Sequence, residues 1–183
     1  SDGHDLITLA DQFSNEFPYM SFYSPHAPEV CSMNPYGRQW FEISNSLQNI
    51  KDIGESVSAL NKFIDKIIKI NNVLESRIFL FGFSQGAMMS MHVGLRREKS
   101  IGGIVAFSGA LIFPEDLDKI KNRTPILMIH GEDDDVVPFK EMDKGYNHLK
   151  IQNIEVETLG IPNLGHGINE LGINAAKKFI KDK

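Results

Sequence analysis

The sequence predicts an α/β fold in which a mostly parallel sheet carries helices on both faces. Short apolar runs, too brief to form helices, alternate along the chain with longer segments whose apolar residues recur at helical spacing. The runs that read as strands buried inside a sheet are Ile78–Phe81, Ile101–Ser108 and Pro125–His130. Helical segments follow the first run, to about Arg97, and the third run, over residues 138–150. Strands that alternate with helices form βαβ units, and such units place their strands parallel.

The segments on either side extend this pattern. Apolar residues at helical spacing predict further helices over Leu6–Phe13, Ile50–Asn71 and Ile168–Phe179. Tyr19–Ser24 reads as a short strand, and residues 25–45, with three prolines and no clear period, read as a long loop. Residues 154–158 alternate glutamates with less polar side chains, which predicts a half-exposed strand near the edge of the sheet.

Length and composition indicate one ordinary domain. A chain of 183 residues is long enough to bury a hydrophobic core, and we predict a single domain over residues 1–183. The net charge of −5 and the scattered basic residues argue against a nucleic-acid partner. The longest apolar runs fall far short of the ~20 residues that a membrane span requires, and no N-terminal signal sequence is visible. Cys31 is the single cysteine, which excludes an internal disulfide and predicts a reducing, cytoplasmic location.

The strongest chemical motif is Gly82–Gly86, with the sequence G-F-S-Q-G. A G-x-S-x-G motif between a strand and a helix places its serine on a sharp turn, with the hydroxyl exposed above the sheet. Glycines flank the serine because the turn brings backbone against backbone. Here the motif lies between a predicted buried strand and a predicted helix. Ser84 is therefore the candidate nucleophile, and the Gln85 N–H is the candidate oxyanion donor.

Candidate partners for the serine lie downstream of it. A serine hydroxyl needs a base to take its proton, and the base needs a carboxylate to orient it. In folds with this motif the chain order is serine, then aspartate or glutamate, then histidine. His130 ends a strand before Gly131 and is expected to shape a turn, and His148 lies in a predicted helix and is expected to be solvated. His166 lies in a loop between a strand and a helix, where doubly wound folds build their sites, and is the candidate base.

Four consecutive acids, Glu132–Asp135, follow the third buried run and can supply the carboxylate. The alternative is that they form a metal loop. Their spacing lacks the alternating ligands and the distal glutamate of a calcium loop, and no set of cysteines and histidines accompanies them as in a zinc site. We therefore expect no metal and no cofactor, since triad chemistry needs neither.

Taken together, these motifs resemble those of the phospholipase/carboxylesterase family of α/β hydrolases, the group that includes acyl-protein thioesterases. The matching segments are Gly82–Ala87, His130–Pro138, Leu164–His166 and Pro35–Phe41, and the likeness extends over nearly the whole chain. The resemblance implies an α/β-hydrolase fold. It also implies that the catalytic aspartate is the fifth residue of H-G-x-x-D-x-V-V-P, which is Asp134, and that Asp133 and Asp135 are loop acids. Trp40 is similarly implied to line the acyl pocket, and the alternative is that it packs a loop.

The start of the chain departs from the family pattern. Family members carry an H-G-x-G segment after their third strand, and that segment supplies a second oxyanion N–H. Ser1–Leu6 resembles the residues that follow this segment, and the 183 residues contain no H-G-x-G. We therefore expect an N-terminally truncated version of the fold. The two neighbours of the third strand then lack ladder partners, unless the sheet has closed up or another chain fills the gap. We also expect these residues alone to have weak activity.

The sequence thus predicts a carboxylesterase or thioesterase that cleaves small carboxylic esters or acyl thioesters. Ser84, His166 and Asp134 are its predicted triad, and the reaction passes through an acyl-enzyme. The alternative is a catalytically impaired member of the same fold that acts as a binding or structural protein. The predicted partner is the small substrate, and the sequence leaves open a homo-oligomer.

Overall fold

The computed structural model describes residues 3–32, 34–43, 50 and 53–183. The chain divides into two compact units, Ser1–Ile67 and Ile68–Lys183. Ser1 and Asp2, with which the family-like opening segment begins, lie outside the described residues. The single domain over residues 1–183 stays a prediction. None of the helices in the described ranges combines the length and the apolar character that crossing a membrane requires.

In its described residues, the first unit holds two short helices and an antiparallel hairpin. The helices are α1 (Gly3–Ile7) and α2 (Ala10–Ser14), and the strands are β1 (Glu29–Cys31) and β2 (Asn34–Gln39). Phe13 is the buried residue of α2. The helix predicted over Leu6–Phe13 is therefore divided into two.

Two predictions for this unit are wrong. Tyr19–Ser24 forms no strand, and no strand among the described residues offers it the ladder partner that a strand backbone needs. Glu29–Cys31 and Asn34–Gln39, predicted as parts of a long loop, pair as the hairpin of β1 and β2. The Arg38 guanidinium donates to the carbonyls of Ala27 and Pro28 at 2.9 and 2.8 Å. Strands held by polar contacts of this kind need no alternation of apolar and polar residues. The sequence therefore carries no periodic signal that predicts the hairpin.

The long helix α3 (Gly54–Asn71) begins in this unit and ends where the sequence predicts. Leu60 and Ile64 are buried on the predicted apolar face. The predicted start at Ile50 is too early, because Ile50 forms an isolated antiparallel bridge with Ile43.

The second unit is built on a four-stranded parallel sheet in the order β3–β4–β5–β6. Its strands are β3 (Phe79–Phe83), β4 (Gly103–Phe107), β5 (Ile126–Gly131) and β6 (Val156–Ile161). Its helices are α4 (Gln85–Gly94), α5 (Lys140–Ile151) and α6 (Glu170–Asp182). Short 3₁₀ turns cover Glu75–Arg77 and Pro114–Lys119. The predicted parallel α/β architecture is confirmed.

Helices cover both faces of this sheet. Successive residues of a strand point to opposite faces of the sheet, so adjacent residues of β4 contact the helices of different layers. Ile104 and Ala106 share a buried core with residues of α4 and α5. Phe107 faces α6 instead, where a Cβ added to Gly172 would lie 2.6 Å from the Phe107 ring and 3.3 Å from Ile129. The prediction of helices on both faces is therefore confirmed.

Strands β3 and β6 are the outer strands of the sheet formed by the described residues. The sequence predicts an edge position for β6, and Glu157 and Thr158 on it are exposed. The prediction that β3 is buried on both faces is wrong, because Phe79, Leu80 and Phe81 are only half-buried. An outer strand has a neighbouring strand on one side only, and this leaves its side chains less covered.

Candidate active site

The turn after β3 holds Ser84 in a strained backbone conformation. Its φ of 54° and ψ of −121° lie where residues other than glycine are rarely found. Ser84 N donates to the carbonyl of Phe107 at the end of β4 at 2.9 Å, and Met88 N donates to the carbonyl of Ser84 at 3.1 Å. Strain of this kind costs about 1–3 kcal/mol and persists only where the surroundings impose it. The half-buried Ser84 is therefore fixed between a strand end and Gln85, the first residue of α4.

Gly82 permits this sharp turn through a close backbone approach. A Cβ at position 82 would lie 2.3 Å from the carbonyl carbon of Gly86, closer than real Cβ contacts come. At Gly86 itself, an added Cβ would meet no atom within 4 Å. The predicted contact of backbone against backbone thus explains the first glycine of the motif and not the second.

Asp134 lies in the loop after β5, and both of its carboxylate oxygens accept hydrogen bonds. Oδ1 accepts from the backbone N–H groups of Val136 at 3.0 Å and Val137 at 2.8 Å. Oδ2 accepts from the Nδ1–H of His166 at 2.8 Å. The Asp134 side chain is 0% exposed, whereas the three other acids of this run are exposed. Within the described ranges, no group of three or more His, Cys, Asp or Glu side chains is placed to hold a metal ion.

These hydrogen bonds keep the Asp134 carboxyl group ionised. Burial raises its pKa, but the hydrogen bonds from His166, Val137 and Val136 outweigh burial and hold the pKa below the ordinary value of 3.8. A carboxylate that accepts from Nδ1 also selects the tautomer of His166 in which Nε2 carries the lone pair. This arrangement leaves Nε2 as the ring atom that can take a proton.

The loops after β5 and β6 are joined to each other, which brings His166 to Asp134. Asp133 N donates to the carbonyl of Leu164 at 3.0 Å. A Cβ at Gly131 would lie 2.2 Å from the Leu164 carbonyl oxygen, so only glycine fits there. A side chain at position 131 would push the two loops apart and separate the imidazole from the carboxylate.

The three predicted triad residues follow three strands of one parallel sheet. Ser84 follows β3, Asp134 follows β5 and His166 follows β6. The carboxyl ends of parallel strands meet at one edge of the sheet, which is where such folds build their sites. The His166 ring packs against Phe83, the last residue of β3, with ring centroids 4.8 Å apart. The structure thus joins His166 directly to Asp134 and places its ring against the residue that precedes Ser84.

Trp40 belongs to the first unit and directly follows β2. It is half-buried, and its carbonyl accepts a hydrogen bond from the Ser56 hydroxyl of α3. The predicted place of Trp40 in an acyl pocket stays a prediction.

His130 is the residue of this region that sequence reasoning missed. It is the penultimate residue of β5, and its side chain is 1% exposed. Its Nε2 lies 2.8 Å from the carbonyl oxygen of Val137 and 3.3 Å from Oδ2 of Asp134. The signal in the sequence was the four-residue spacing from His130 to Asp134 across a loop that turns back on itself. That spacing is common, and only the folded loop shows which atoms meet.

Comparison with known proteins points to one family. The model of the phospholipase/carboxylesterase family matches residues 1–183. A probable carboxylesterase of Oryza sativa subsp. japonica is 30% identical over 169 residues, and the match spans 87% of this chain but only 63% of the rice protein. Acyl-protein thioesterase 1 of Gibberella zeae is 29% identical over 180 residues, which cover 88% of this chain and 76% of the thioesterase. The crystal structure of esterase PE8 has a TM-score of 0.92 at 33% identity, and the match covers 100% of this chain and 87% of that chain.

The parallel sheet with helices on both faces and the likeness to a solved esterase define the fold as that of an α/β hydrolase. The chain belongs to the phospholipase/carboxylesterase family. The relatives compared above are a probable carboxylesterase and an acyl-protein thioesterase, so the chain belongs with carboxylesterase- and thioesterase-like α/β hydrolases.

Proposed function

We propose that this protein is a serine hydrolase that cleaves small carboxylic esters or acyl thioesters with the triad Ser84, His166 and Asp134. The observation that carries the proposal is the 2.8 Å hydrogen bond from Nδ1 of His166 to the buried carboxylate of Asp134. The strained turn at Ser84, with its φ of 54°, supports the choice of nucleophile. The probable carboxylesterase and the acyl-protein thioesterase among the relatives support the choice of reaction.

In the first half of the reaction the acyl group moves to the enzyme. Ser84 Oγ attacks the carbonyl carbon of the substrate, and the hydroxyl proton passes to Nε2 of His166. Asp134 stays ionised and stabilises the imidazolium that forms. The tetrahedral intermediate collapses when the bond from the carbonyl carbon to the alcohol oxygen or thiol sulfur breaks. His166 gives its proton to that leaving group, and the acyl group remains on Ser84 as an ester.

In the second half water replaces the leaving group. His166 takes a proton from the water as the water oxygen attacks the acyl carbon. The new tetrahedral intermediate breaks its bond to Ser84 Oγ, and His166 returns the proton to that oxygen. The carboxylic acid leaves and the free serine is restored. No cofactor takes part in either half.

The backbone N–H of Gln85 is the proposed donor to the negative oxygen of both intermediates. Gln85 is the first residue of α4, and the start of a helix carries partial positive charge. Removal of a single donor of this kind from a serine hydrolase typically costs ~10²–10³ in kcat, about 2.7–4 kcal/mol. The placement of Gln85 next to Ser84 therefore contributes a substantial part of the expected rate enhancement.

Turnover of a short-chain nitrophenyl ester, and of the matching acyl thioester, tests this proposal. We expect a burst of nitrophenol before the steady state, since an acyl-enzyme forms before water can release it. Ser84→Ala should abolish both burst and turnover and leave the circular-dichroism spectrum and Tm unchanged, because a half-buried hydroxyl contributes little packing and the backbone hydrogen bonds of the turn remain. Turnover by Ser84→Ala at the wild-type rate would rule out the triad. A folded wild-type protein that hydrolyses neither substrate would favour the catalytically impaired alternative.

A further inference from the structure

We propose that His130 is a positioning residue for the triad. Its side chain holds the loop whose backbone N–H groups donate to Asp134, and this keeps the Asp134 carboxylate aligned with His166. This inference rests on the proposed function and adds to it a residue outside the triad.

The proton on the His130 ring can be placed from its contacts. Nε2 of His130 lies 2.8 Å from the carbonyl oxygen of Val137. A carbonyl oxygen only accepts hydrogen bonds, so Nε2 must carry a hydrogen and donate it. The ring is buried, at 1% exposure, and meets the Phe139 ring edge to face with centroids 6.0 Å apart. Its orientation is therefore set by a hydrogen bond on one atom and by aromatic packing on its face.

This hydrogen bond closes the loop around the Asp134 carboxylate. Val137 accepts from His130 through its carbonyl and donates to Asp134 Oδ1 through its own N–H at 2.8 Å. Val136 N donates to the same oxygen at 3.0 Å. The residue that His130 anchors is thus one of the two that hold Oδ1. Loss of the hydrogen bond from His130 would free the Val137 carbonyl. The backbone hydrogen bonds from Val136 and Val137 to the carboxylate would then weaken.

The same nitrogen also faces the second carboxylate oxygen. Nε2 of His130 lies 3.3 Å from Oδ2 of Asp134, the oxygen that accepts the Nδ1–H of His166 at 2.8 Å. Oδ2 therefore lies between two imidazole rings, and Oδ1 lies against two backbone N–H groups. A carboxylate contacted on both oxygens cannot rotate without losing a partner. This fixed plane of the carboxylate keeps Nδ1 of His166 in line with Oδ2 while Nε2 of His166 exchanges its proton.

A matched pair of substitutions separates this role from simple packing. His130→Gln keeps an amide N–H that can reach the Val137 carbonyl, and His130→Met replaces it with a side chain of similar length and no donor. We expect His130→Met to lower kcat by ~10²-fold with little change in KM, the scale of loss that follows small misplacement of a reacting group. His130→Gln should recover most of that loss. Phe139→Leu loosens the same ring without removing the hydrogen bond, and it should lower Tm while reducing kcat far less than His130→Met does.

A proton NMR measurement provides a readout that needs no turnover. The Nδ1–H of His166, bonded to a buried carboxylate, should give a resonance far downfield of the amide protons in wild type and in His130→Gln. In His130→Met this resonance should broaden or move upfield. If His130→Met fails to fold, His130→Asn takes its place, because its shorter amide does not reach Val137 and predicts the same losses.

Equal kcat in folded Met and Gln variants, together with an unchanged resonance, would overturn the inference. Equal losses in both variants, in proportion to a common fall in Tm, would also overturn it and leave His130 as a packing residue. If the wild-type protein hydrolyses no ester, the proposed function fails, and the NMR comparison still decides the role of His130.

Discussion

At the residue scale, the site depends on one acid whose surroundings differ from those of its neighbours. Asp134 is buried and accepts three hydrogen bonds, whereas Asp133 and Asp135 on either side of it are exposed. The three residues have the same chemistry and adjacent positions in the chain. Only their contacts distinguish them, which makes the neighbours of Asp134 natural controls.

Asp134→Asn should reduce kcat by several orders of magnitude, in line with the ~10⁴-fold loss seen when the triad aspartate of a serine protease is replaced. The amide is uncharged, so it no longer provides a charged acceptor for the Nδ1–H of His166. The favoured tautomer of the imidazole therefore changes. Asp133→Asn and Asp135→Asn should each keep kcat within about tenfold of wild type, since an exposed charge near a site acts weakly through solvent. Steady-state kinetics on the three variants measure this contrast. Similar losses in all three would indicate a general negative field rather than one oriented carboxylate.

At the scale of elements, the turn from β3 into α4 sets the position of the nucleophile. Its geometry depends on Gly82, whose hydrogen lies against the backbone of Gly86. This contact does not require glycine at position 86, where an added Cβ would lie in open space. Two glycines that look equivalent in the motif therefore have different structural roles.

Gly82→Ala should destabilise the protein by about 4 kcal/mol or more, because the new methyl group would overlap backbone atoms that cannot move aside. Gly86→Ala should be neutral or stabilise by about 0.5–1 kcal/mol, since alanine restricts the unfolded chain and favours a helix. Urea denaturation followed by circular dichroism measures both changes. A comparable loss of stability in the two variants would contradict the account of the turn.

Elements with apolar residues on both faces could be predicted from the sequence, and those held by polar contacts could not. β4 and β5 are buried at every position, and their apolar runs predict them to within two residues at each end. The hairpin of β1 and β2 is held in part by Arg38 on backbone carbonyls, which leaves no periodic signal. Ser84 and His166 stood out because each follows a predicted strand, and Asp134 stood out among four consecutive acids only through the family resemblance. His130 did not, because its contact with Val137 depends on how one loop folds back.

At the scale of the whole molecule, burial of a histidine makes stability depend on pH. His92 lies on α4, is 8% exposed and packs edge to face against Phe113 with ring centroids 5.7 Å apart. Burial first, and then the neighbouring charge of Arg96, lower the pKa of His92 from 6.5 to about 4, with Lys119 adding to the effect and Asp116 opposing it. The folded state therefore disfavours the charged imidazolium.

The protein should lose stability as the pH falls from about 6.5 to about 4, the window between the ordinary and the folded pKa of His92. In that window the unfolded chain binds the proton and the folded chain does not, so acid favours unfolding. Above pH 6.5 this contribution is fully retained, and its complete loss amounts to about 3 kcal/mol for a shift of this size. Urea denaturation at several pH values measures the slope.

His92→Gln should flatten the slope between pH 4 and 6.5, because the variant lacks the buried imidazole whose pKa is lowered in the folded state. His148→Gln is the matched control, because it removes a histidine from a different helix, α5. This variant should keep the wild-type slope. An unchanged slope in His92→Gln would show that the acid sensitivity arises elsewhere.

The central claim is that Ser84 is a nucleophile activated by His166 and Asp134, and active-site labelling tests it most directly. A fluorophosphonate probe forms a stable phosphonyl ester with an activated serine, and mass spectrometry of the digested protein identifies the labelled residue. We predict rapid labelling of Ser84 at one probe per chain. His166→Gln and Asp134→Asn should slow that labelling by orders of magnitude, and Ser84→Ala should show none. Labelling of a different serine, or labelling of Ser84 at the same rate with and without the His166 imidazole, would contradict the account.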